Sequence, residues 1–157
     1  MGQGFEYHCR KCKKEYAASF GGGMRYPTVY ERIMDEMRSG KYGLESQKLV
    51  STIPYCAVDA SKAVYLCKKC NKWEVLPSLS LYAPRDMDHI QRELELYGQV
   101  LCPNKITLKY SYRIVYRHYH KCSLCGSRMR KLSLHEAESL PCPRCGEINK
   151  GSRLLWD

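Results

Sequence analysis

Apolar and polar residues alternate along the chain with two different periods, and the helical period appears first. Val29, Ile33 and Met37 recur at four-residue spacing behind Pro27, which predicts an amphipathic helix from about residue 27 to 38. A second helical stretch, about residues 44–53, ends before Pro54. Together these helices predict a helical insertion over about residues 27–53.

A third helical pattern covers residues 86–97, where Ile90, Leu94 and Tyr97 share one side. Residues 106–119 instead alternate between apolar and polar side chains from Ile106 to Tyr116, with Val115 among the polar positions. A period of two predicts one long strand with one covered face.

Shorter β-type segments complete the pattern. Residues 63–83 predict two strands that flank a turn, and the closing segment GSRLLWD predicts a final strand. The longest apolar run, Ala63 to Cys67, is far shorter than the ~20 residues that cross a bilayer. We therefore expect a small α+β protein with mostly antiparallel strands and no membrane partner.

Eight of the ten cysteines form four Cys-x-x-Cys pairs, which we call knuckles 1 to 4. In chain order they are Cys9 and Cys12, Cys67 and Cys70, Cys122 and Cys125, and Cys142 and Cys145. Each pair presents two thiolates from one tight turn, and Zn²⁺ takes four thiolates in a tetrahedron at about 2.3 Å. The spacing predicts two Zn²⁺ ions as cofactors. Because four thiolates leave no open position on the metal, their role is structural.

The spacing between knuckles predicts which of them share a metal. Sixteen residues separate Cys125 from Cys142, so we expect knuckles 3 and 4 to form one site and knuckles 1 and 2 the other. Interleaved pairing, in which knuckles 1 and 3 share a metal, is an open alternative because loop closure disfavours it only mildly. Iron in a rubredoxin-like site, a redox dithiol and disulfides also stay open at this point.

These motifs predict two zinc ribbons. We expect residues 1–100 to form a ribbon that carries the helical insertion and residues 101–157 to form a C-terminal ribbon. Cys56 and Cys102 lie outside the knuckles and are expected to be buried small hydrophobes. His8 and His120 lie near knuckle cysteines but are redundant as ligands.

The charge of the chain is strongly positive, at +10 with 26 Lys and Arg against 16 Asp and Glu. Two Zn²⁺ ions on eight thiolates would reduce it to about +6. Residues 105–131 contain eight cations and no acid. On one strand, Lys109, Arg113 and Arg117 would form a row that follows a polyanion, and Tyr119 would stack on an exposed base. The predicted nucleic-acid contacts are Lys109, Arg113, Arg117, Tyr119, Lys121, Arg128 and Arg130.

Four sequence segments carry a family resemblance: FEYHCRKC, FGGGMRYP, YLCKKCNKW, and PCPRCG followed by LLWD. Together they resemble a group of short, uncharacterised bacterial zinc-ribbon proteins over nearly the whole chain. That resemblance implies a fold and no activity. The downstream half also resembles zinc ribbons of transcription, translation and nucleic-acid processing proteins, so function drawn from it is analogy.

The function expected from these patterns is that of a non-enzymatic zinc protein that contacts nucleic acid or a nucleic-acid-processing machine. The alternative is a protein-interaction adaptor or inhibitor that uses the helical insertion, and an enzyme of unknown class is third. No small-molecule substrate is expected, and the oligomeric state stays open. The amino terminus has no apolar leader pattern, and the many cysteines fit a reducing compartment, so we expect a cytoplasmic protein.

Overall fold

The computed structural model describes residues 2–156 and has an α+β fold. Its helices are α1 (Tyr26–Arg38), α2 (Leu44–Thr52), α3 (Asp88–Tyr97), α4 (Lys105–Ser111) and α5 (Leu134–Ala137). Its strands are β1 (Gly2–His8), β2 (Glu15–Phe20), β3 (Ala57–Val58), β4 (Lys62–Leu66), β5 (Trp73–Pro77), β6 (Leu81–Pro84), β7 (Tyr112–Tyr116), β8 (Arg130–Lys131), β9 (Ser139–Pro141), β10 (Ile148–Lys150) and β11 (Ser152–Trp156). All pairings between these strands are antiparallel.

The chain divides into two compact units. Unit 1 consists of residues 1–24, 61–77 and 119–157, and unit 2 consists of residues 25–60 and 78–118. This division differs from the predicted boundary near residue 100. The chain leaves unit 1 twice and returns twice, so each unit is assembled from separated segments.

Unit 1 contains three small sheets. Strand β1 lies between β11 and β2, strand β4 lies between β5 and β8, and β9 pairs with β10. Phe5, Tyr7, Val64, Leu132 and Leu140 form the main buried cluster. All four knuckles belong to this unit.

Unit 2 contains one three-stranded sheet, in which β6 lies between β3 and β7. Ile33 and Met37 of α1 pack with Val58, Leu79 and Leu81 in its main core. The predicted helices near residues 27–38, 44–53 and 86–97 are confirmed as α1, α2 and α3. Pro lies in the first turn of α1, and α3 ends at Gly98 in the left-handed conformation, as the sequence signals indicate.

The predicted long strand over residues 106–119 is wrong in its first half. Residues 105–111 form α4, and only Tyr112–Tyr116 is a strand. Asn104 caps α4, since its side chain accepts hydrogen bonds from the backbone N–H groups of Ile106 and Thr107. Leu108 and Tyr112 are buried at a spacing of four, whereas Ile106 and Tyr110 are exposed. A spacing of four residues fits one face of a strand and one face of a helix, so the alternation alone did not distinguish the two structures.

Smaller predictions are also resolved. The Ser133 to Glu136 segment forms a capping box at the start of α5, as the sequence indicates. The closing strand exists as β11, but it pairs with β1. Among the described helices, none has the length and apolar character needed to cross a bilayer.

Candidate metal centres

The four knuckles share one backbone turn. In each, the backbone N–H of the first cysteine donates to the carbonyl of the residue five positions later. The backbone N–H of the residue four positions later donates back to the carbonyl of that cysteine. In knuckle 1 these bonds are Cys9 N to Lys14 O and Lys13 N to Cys9 O, both 2.9 Å. The repeated turn aims both thiols of a knuckle at one point.

The residue after the second cysteine has a positive φ in every knuckle. These residues are Lys13 (62°), Asn71 (58°), Gly126 (69°) and Gly146 (77°). Glycine takes this left-handed conformation without strain, whereas a lysine does so at a cost of about 1 kcal/mol. The glycines of knuckles 3 and 4 are visible in the sequence, but the same turn in knuckles 1 and 2 is not.

The eight knuckle cysteines form two groups of four. Site A contains Cys9, Cys12, Cys142 and Cys145, and site B contains Cys67, Cys70, Cys122 and Cys125. Within each group, all Sγ atoms lie within 4.8 Å of one another. Neither group includes His8, His120 or any other histidine of the described chain.

The predicted assignment of knuckles to metals is therefore wrong, and so is the interleaved alternative. Knuckle 1 joins knuckle 4, and knuckle 2 joins knuckle 3, so the sites are nested along the chain. The sheets explain this, because β1 pairs with β11 and β4 pairs with β8. Each doubling of a closed loop costs only about 0.6 kcal/mol, so strand pairing decides the partners.

Each site joins two hairpin tips. Knuckle 1 connects β1 to β2 and knuckle 4 connects β9 to β10, which forms site A. Knuckle 2 connects β4 to β5, and knuckle 3 lies within the short ladder that pairs Lys121 with Arg128, which forms site B. Two hairpins with facing cysteine tips fit two zinc-ribbon units.

The sulfur spacing fits a tetrahedral metal. In site A, Cys9 Sγ lies 3.5 Å from Cys145 Sγ, and Cys12 Sγ lies 3.6 Å from Cys142 Sγ. The corresponding distances in site B, Cys67 to Cys125 and Cys70 to Cys122, are both 3.5 Å. A tetrahedron with metal–sulfur bonds of about 2.3 Å places sulfurs about 3.8 Å apart. Each group can therefore hold one ion with only a small expansion.

Site A is supported by Asn149, which is buried. Its Oδ1 accepts the backbone N–H of Arg10 at 3.2 Å, and its Nδ2 donates to the carbonyl of Glu147 at 2.8 Å. Nδ2 also donates to the Tyr16 hydroxyl at 3.3 Å. One side chain thereby links knuckle 1, knuckle 4 and strand β2.

An aromatic stack lies beside site A. The rings of Tyr7 and Tyr16 are parallel, with centroids 4.7 Å apart, and Trp73 lies 6.0 Å beyond Tyr16. Tyr16 donates its hydroxyl to the carbonyl of Leu140 at 3.0 Å. Burial and the nearby Tyr16 raise the pKa of Tyr7 well above its usual value, so its hydroxyl stays a hydrogen-bond donor. The stack fixes β1 and β2 against the strand that leads into knuckle 4.

Site B has a polar link of its own. Lys72 of knuckle 2 donates from Nζ to the hydroxyl of Ser123 in knuckle 3 at 2.6 Å, and Ser123 donates to the carboxylate of Glu74. Lys72 also pairs with Glu74 at 3.2 Å. The Ser123 hydrogen bond, with help from Lys72, lowers the pKa of Glu74. These three side chains connect the two halves of the site.

The two remaining cysteines belong to unit 2. Cys56 is buried, as predicted, and Cys102 is half-buried. Burial raises the pKa of Cys56 to about 11. Burial and the Glu31 carboxylate raise the pKa of Cys102 to about 12. Both thiols are therefore protonated near neutral pH.

The predicted nucleic-acid residues fall into both units. Lys109 is in helix α4, Arg113 is in β7 and Arg117 follows β7, all in unit 2. Because Lys109 is on a helix, the predicted row of three cations on one strand face is wrong. Tyr119, Lys121, Arg128 and Arg130 belong to unit 1, where they flank knuckle 3.

These unit 1 residues have distinct environments. The Arg128 guanidinium lies 3.4 Å from the centroid of the Tyr119 ring, which is 52% exposed. Arg130 instead forms an ion pair with Glu136. Hydrogen bonds from the Ser133 backbone and from Arg130 lower the pKa of Glu136 to about 2. The positive charge of Arg130 is thus partly compensated by Glu136. No ion pair joins Lys121 or Arg128 to another described residue.

Most of the positive charge belongs to unit 1. Its segments contain 15 Lys and Arg against seven Asp and Glu, which gives +8 of the total +10. The prediction missed the exposed cations of knuckles 1, 2 and 4 because each knuckle contributes only a few. These cations are Arg10, Lys11, Lys13, Lys14, Lys68, Lys69, Lys72 and Arg144.

No known protein family matches the chain, and neither the curated proteins nor the solved structures include a match. The resemblance to bacterial zinc-ribbon proteins therefore stays an expectation, supported only by the two tetra-cysteine groups.

Proposed function

We propose that the chain is a two-zinc protein whose unit 1 contacts nucleic acid. Sites A and B would each hold one structural Zn²⁺ ion on four thiolates, with no open position for chemistry. The observation that carries the proposal is the concentration of exposed cations around both sites, with unit 1 at +8. The proposal assigns the chain no catalytic step.

The charge remains positive when metal is bound. Eight thiolates and two divalent ions together subtract four charges, which leaves unit 1 at about +4. The thiolates lie inside the knuckles, whereas the cations extend into solvent from the knuckle turns. A polyanion would therefore meet the cations first, and each phosphate contact would release condensed counterions.

The hairpin around knuckle 3 offers the best-defined contact. Lys121 and Arg128 are paired across its ladder, and both are exposed without an ion-pair partner among the described residues. Arg128 lies over the Tyr119 ring, so cation and aromatic ring form one platform. Stacking platforms beside phosphate-binding cations are typical of single-strand binding surfaces.

The test is binding of labelled single- and double-stranded DNA and RNA, measured by fluorescence anisotropy at 50 and 200 mM salt. We expect Lys121→Glu with Arg128→Glu to weaken binding. The slope of log affinity against log salt concentration should become shallower by the equivalent of about two phosphate contacts. Lys109→Glu with Arg113→Glu makes the same charge change in unit 2 and is the matched control. Equal losses in both variants would reject the knuckle 3 surface, and no binding at low salt would reject the function.

A protein partner is the second candidate, because unit 2 exposes several large apolar side chains over residues 94–110. They are Leu94, Leu96, Tyr97, Leu101, Ile106 and Tyr110. The helical insertion, the surface first predicted for this role, exposes mainly charged residues on α1. A partner bound through unit 2 would stay bound to the Lys121→Glu, Arg128→Glu variant and would be released by Leu96→Ser with Ile106→Ser.

A further inference from the structure

A pocket of about 650 Å³ lies within unit 1 between the two metal centres. Cys70 of site B lines one side of it, and Cys142 of site A lines another. Its volume falls within the range of about 300–1,000 Å³ typical of small-molecule sites. The pocket is a separate feature from the closed tetra-cysteine groups.

Apolar side chains form most of its wall. They are Leu66, Trp73, Leu124, Pro141, Pro143 and Ile148. The indole N–H of Trp73 donates to the carbonyl of Pro141 at 2.8 Å, which fixes the ring in the wall. The pocket is therefore built on strands β4, β5, β9 and β10 and on the turns of knuckles 2, 3 and 4, which the metals would hold in place.

Two of these side chains are largely exposed. Leu124 projects from knuckle 3 and Ile148 follows knuckle 4, and each is 70% exposed. Because both line the same pocket, they give it an apolar rim that suits the apolar groups of a ligand.

The surroundings of the pocket restrict the ligand. Lys72 lines it, and exposed Lys69 and Arg144 are neighbours in sequence of the lining cysteine and proline. Three acids adjoin lining residues in the same way, namely Glu74, Glu138 and Glu147, and Glu74 pairs with Lys72; none of the lining residues is itself acidic. The charges beside the pocket therefore balance, and it is the net charge of +8 on unit 1 as a whole that favours a ligand anionic along its length. The apolar wall favours flat apolar groups on that ligand.

We infer that this pocket receives unpaired bases of a single-stranded nucleic acid, with the flanking phosphates on the knuckle cations. This inference rests on the proposed function and extends it to a strand preference. In a duplex the bases are stacked and paired, so only a single strand places bases in an apolar pocket at no cost of unpairing. A duplex would contact the cations alone.

Three probes of equal length test the inference on the zinc-loaded full chain. They are a ten-nucleotide DNA strand of mixed sequence, the same strand with every base replaced by an abasic analogue, and the blunt duplex. Because stacking contributes strongly per base, we expect the wild-type protein to bind the base-bearing strand about tenfold tighter than the abasic strand. This comparison needs no variant and therefore does not depend on any variant folding.

Variants then locate the preference. Leu124→Ser with Ile148→Ser removes apolar surface but no charge, so we expect affinity for the base-bearing strand to fall to the abasic level with an unchanged salt slope. Leu155→Ser, at a residue also 70% exposed but outside the pocket lining, is the matched control and should keep the preference. Two zinc ions per chain confirm that each variant is folded.

The outcomes separate this inference from the proposed function. Equal binding of base-bearing and abasic strands, or a preference that survives the double substitution, would overturn the pocket assignment while nucleic-acid contact stands. Displacement of the strand by an apolar peptide, without any base preference, would do the same and make the pocket a peptide site. Failure of all three polyanions to bind at low salt would overturn both.

Discussion

The side chain of Asn149 holds the backbone of Arg10, with 3.2 Å between Oδ1 and the amide nitrogen. Arg10 lies between the two cysteines of knuckle 1, whereas Asn149 lies in β10, just after knuckle 4. The contact therefore fixes one half of site A against the other. It also satisfies a backbone donor within the knuckle turn.

Replacing Asn149 with Ala should loosen site A alone. Outer hydrogen bonds that orient metal ligands typically change metal affinity 10- to 100-fold, so we expect zinc to leave site A about tenfold faster. Transfer of zinc to a chromogenic chelator would show one accelerated phase and one unchanged phase. Asn104→Ala removes the cap of α4 in unit 2 and is the control, expected to lower stability by about 1 kcal/mol without changing zinc release. Acceleration of both phases would contradict a local role for Asn149.

The nested pairing of knuckles predicts which double substitutions remove one metal and which remove two. Cys9→Ser with Cys142→Ser alters site A only, so about one zinc per chain should remain. Cys9→Ser with Cys122→Ser alters both sites and should remove both ions. Elemental analysis after desalting distinguishes the two variants. Pairing in sequence order would instead remove both ions from both variants. Interleaved pairing of knuckles 1 and 3 would give the opposite result, with two ions lost from the first variant and one from the second.

Knuckle 1 contains a strained residue that can be relieved. Lys13 has a φ of 62°, so Lys13→Gly should stabilise the zinc-loaded protein by up to about 0.5 kcal/mol after the entropy of the unfolded glycine is deducted. Lys13→Ala removes the same charge and keeps the strain, so it should give no such gain. Gly126→Ala in knuckle 3 should have the reverse effect of similar size. Thermal unfolding with excess zinc provides the measurement.

The Tyr7 hydroxyl donates to the carbonyl of Ala137, and both residues are buried. Tyr7→Phe leaves this carbonyl without that donor, and we expect it to lower the free energy of unfolding by about 1–2 kcal/mol. Denaturant titration at saturating zinc would measure the loss. Tyr97→Phe, at an exposed tyrosine of α3, should be neutral. Equal stability of the two variants would show that the Tyr7 hydrogen bond contributes nothing.

Cys56 and Cys102 should resist alkylation in the native protein until the pH is high. Their raised pKa values mean that folding favours the protonated thiols, so their contribution to stability is present below about pH 9 and is lost as the pH rises through 11 to 12. Peptide mapping after iodoacetamide treatment at pH 8 and pH 10 should show slow labelling that increases at the higher pH. The guanidinium-unfolded chain is the control, in which both cysteines react readily at pH 8. Rapid labelling of native Cys56 at pH 8 would contradict the burial argument.

Local signals in the sequence predicted much of the fold. The spacing of Val29, Ile33 and Met37 depends only on helical geometry, and the Cys-x-x-Cys spacing depends only on one tight turn. The partner of each knuckle is a long-range property. It is decided by pairing of β1 with β11 and of β4 with β8, which no local pattern reports. The sixteen-residue interval between Cys125 and Cys142 looked decisive only because it was short.

Residues 106–111 show the limit of periodicity. Ile106, Leu108 and Tyr110 alternate as in a strand, yet the hydrogen bonds from Asn104 begin a helix there. The motif of Pro103 and Asn104 before the segment was the available signal, since an Asn cap commonly precedes a helix. The pocket beside Trp73 could not be predicted either, because it depends on three knuckles that are distant in sequence.

The order of the cysteines along the chain means that the ligands of the two sites are complete at different times during translation. All four ligands of site B have left the ribosome once Cys125 emerges, whereas site A must wait for Cys145. Until then Cys9 and Cys12 are an incomplete pair of thiols, open to oxidation or to capture by another metal. The first thiols to be synthesised are thus the ones that wait longest for their partners.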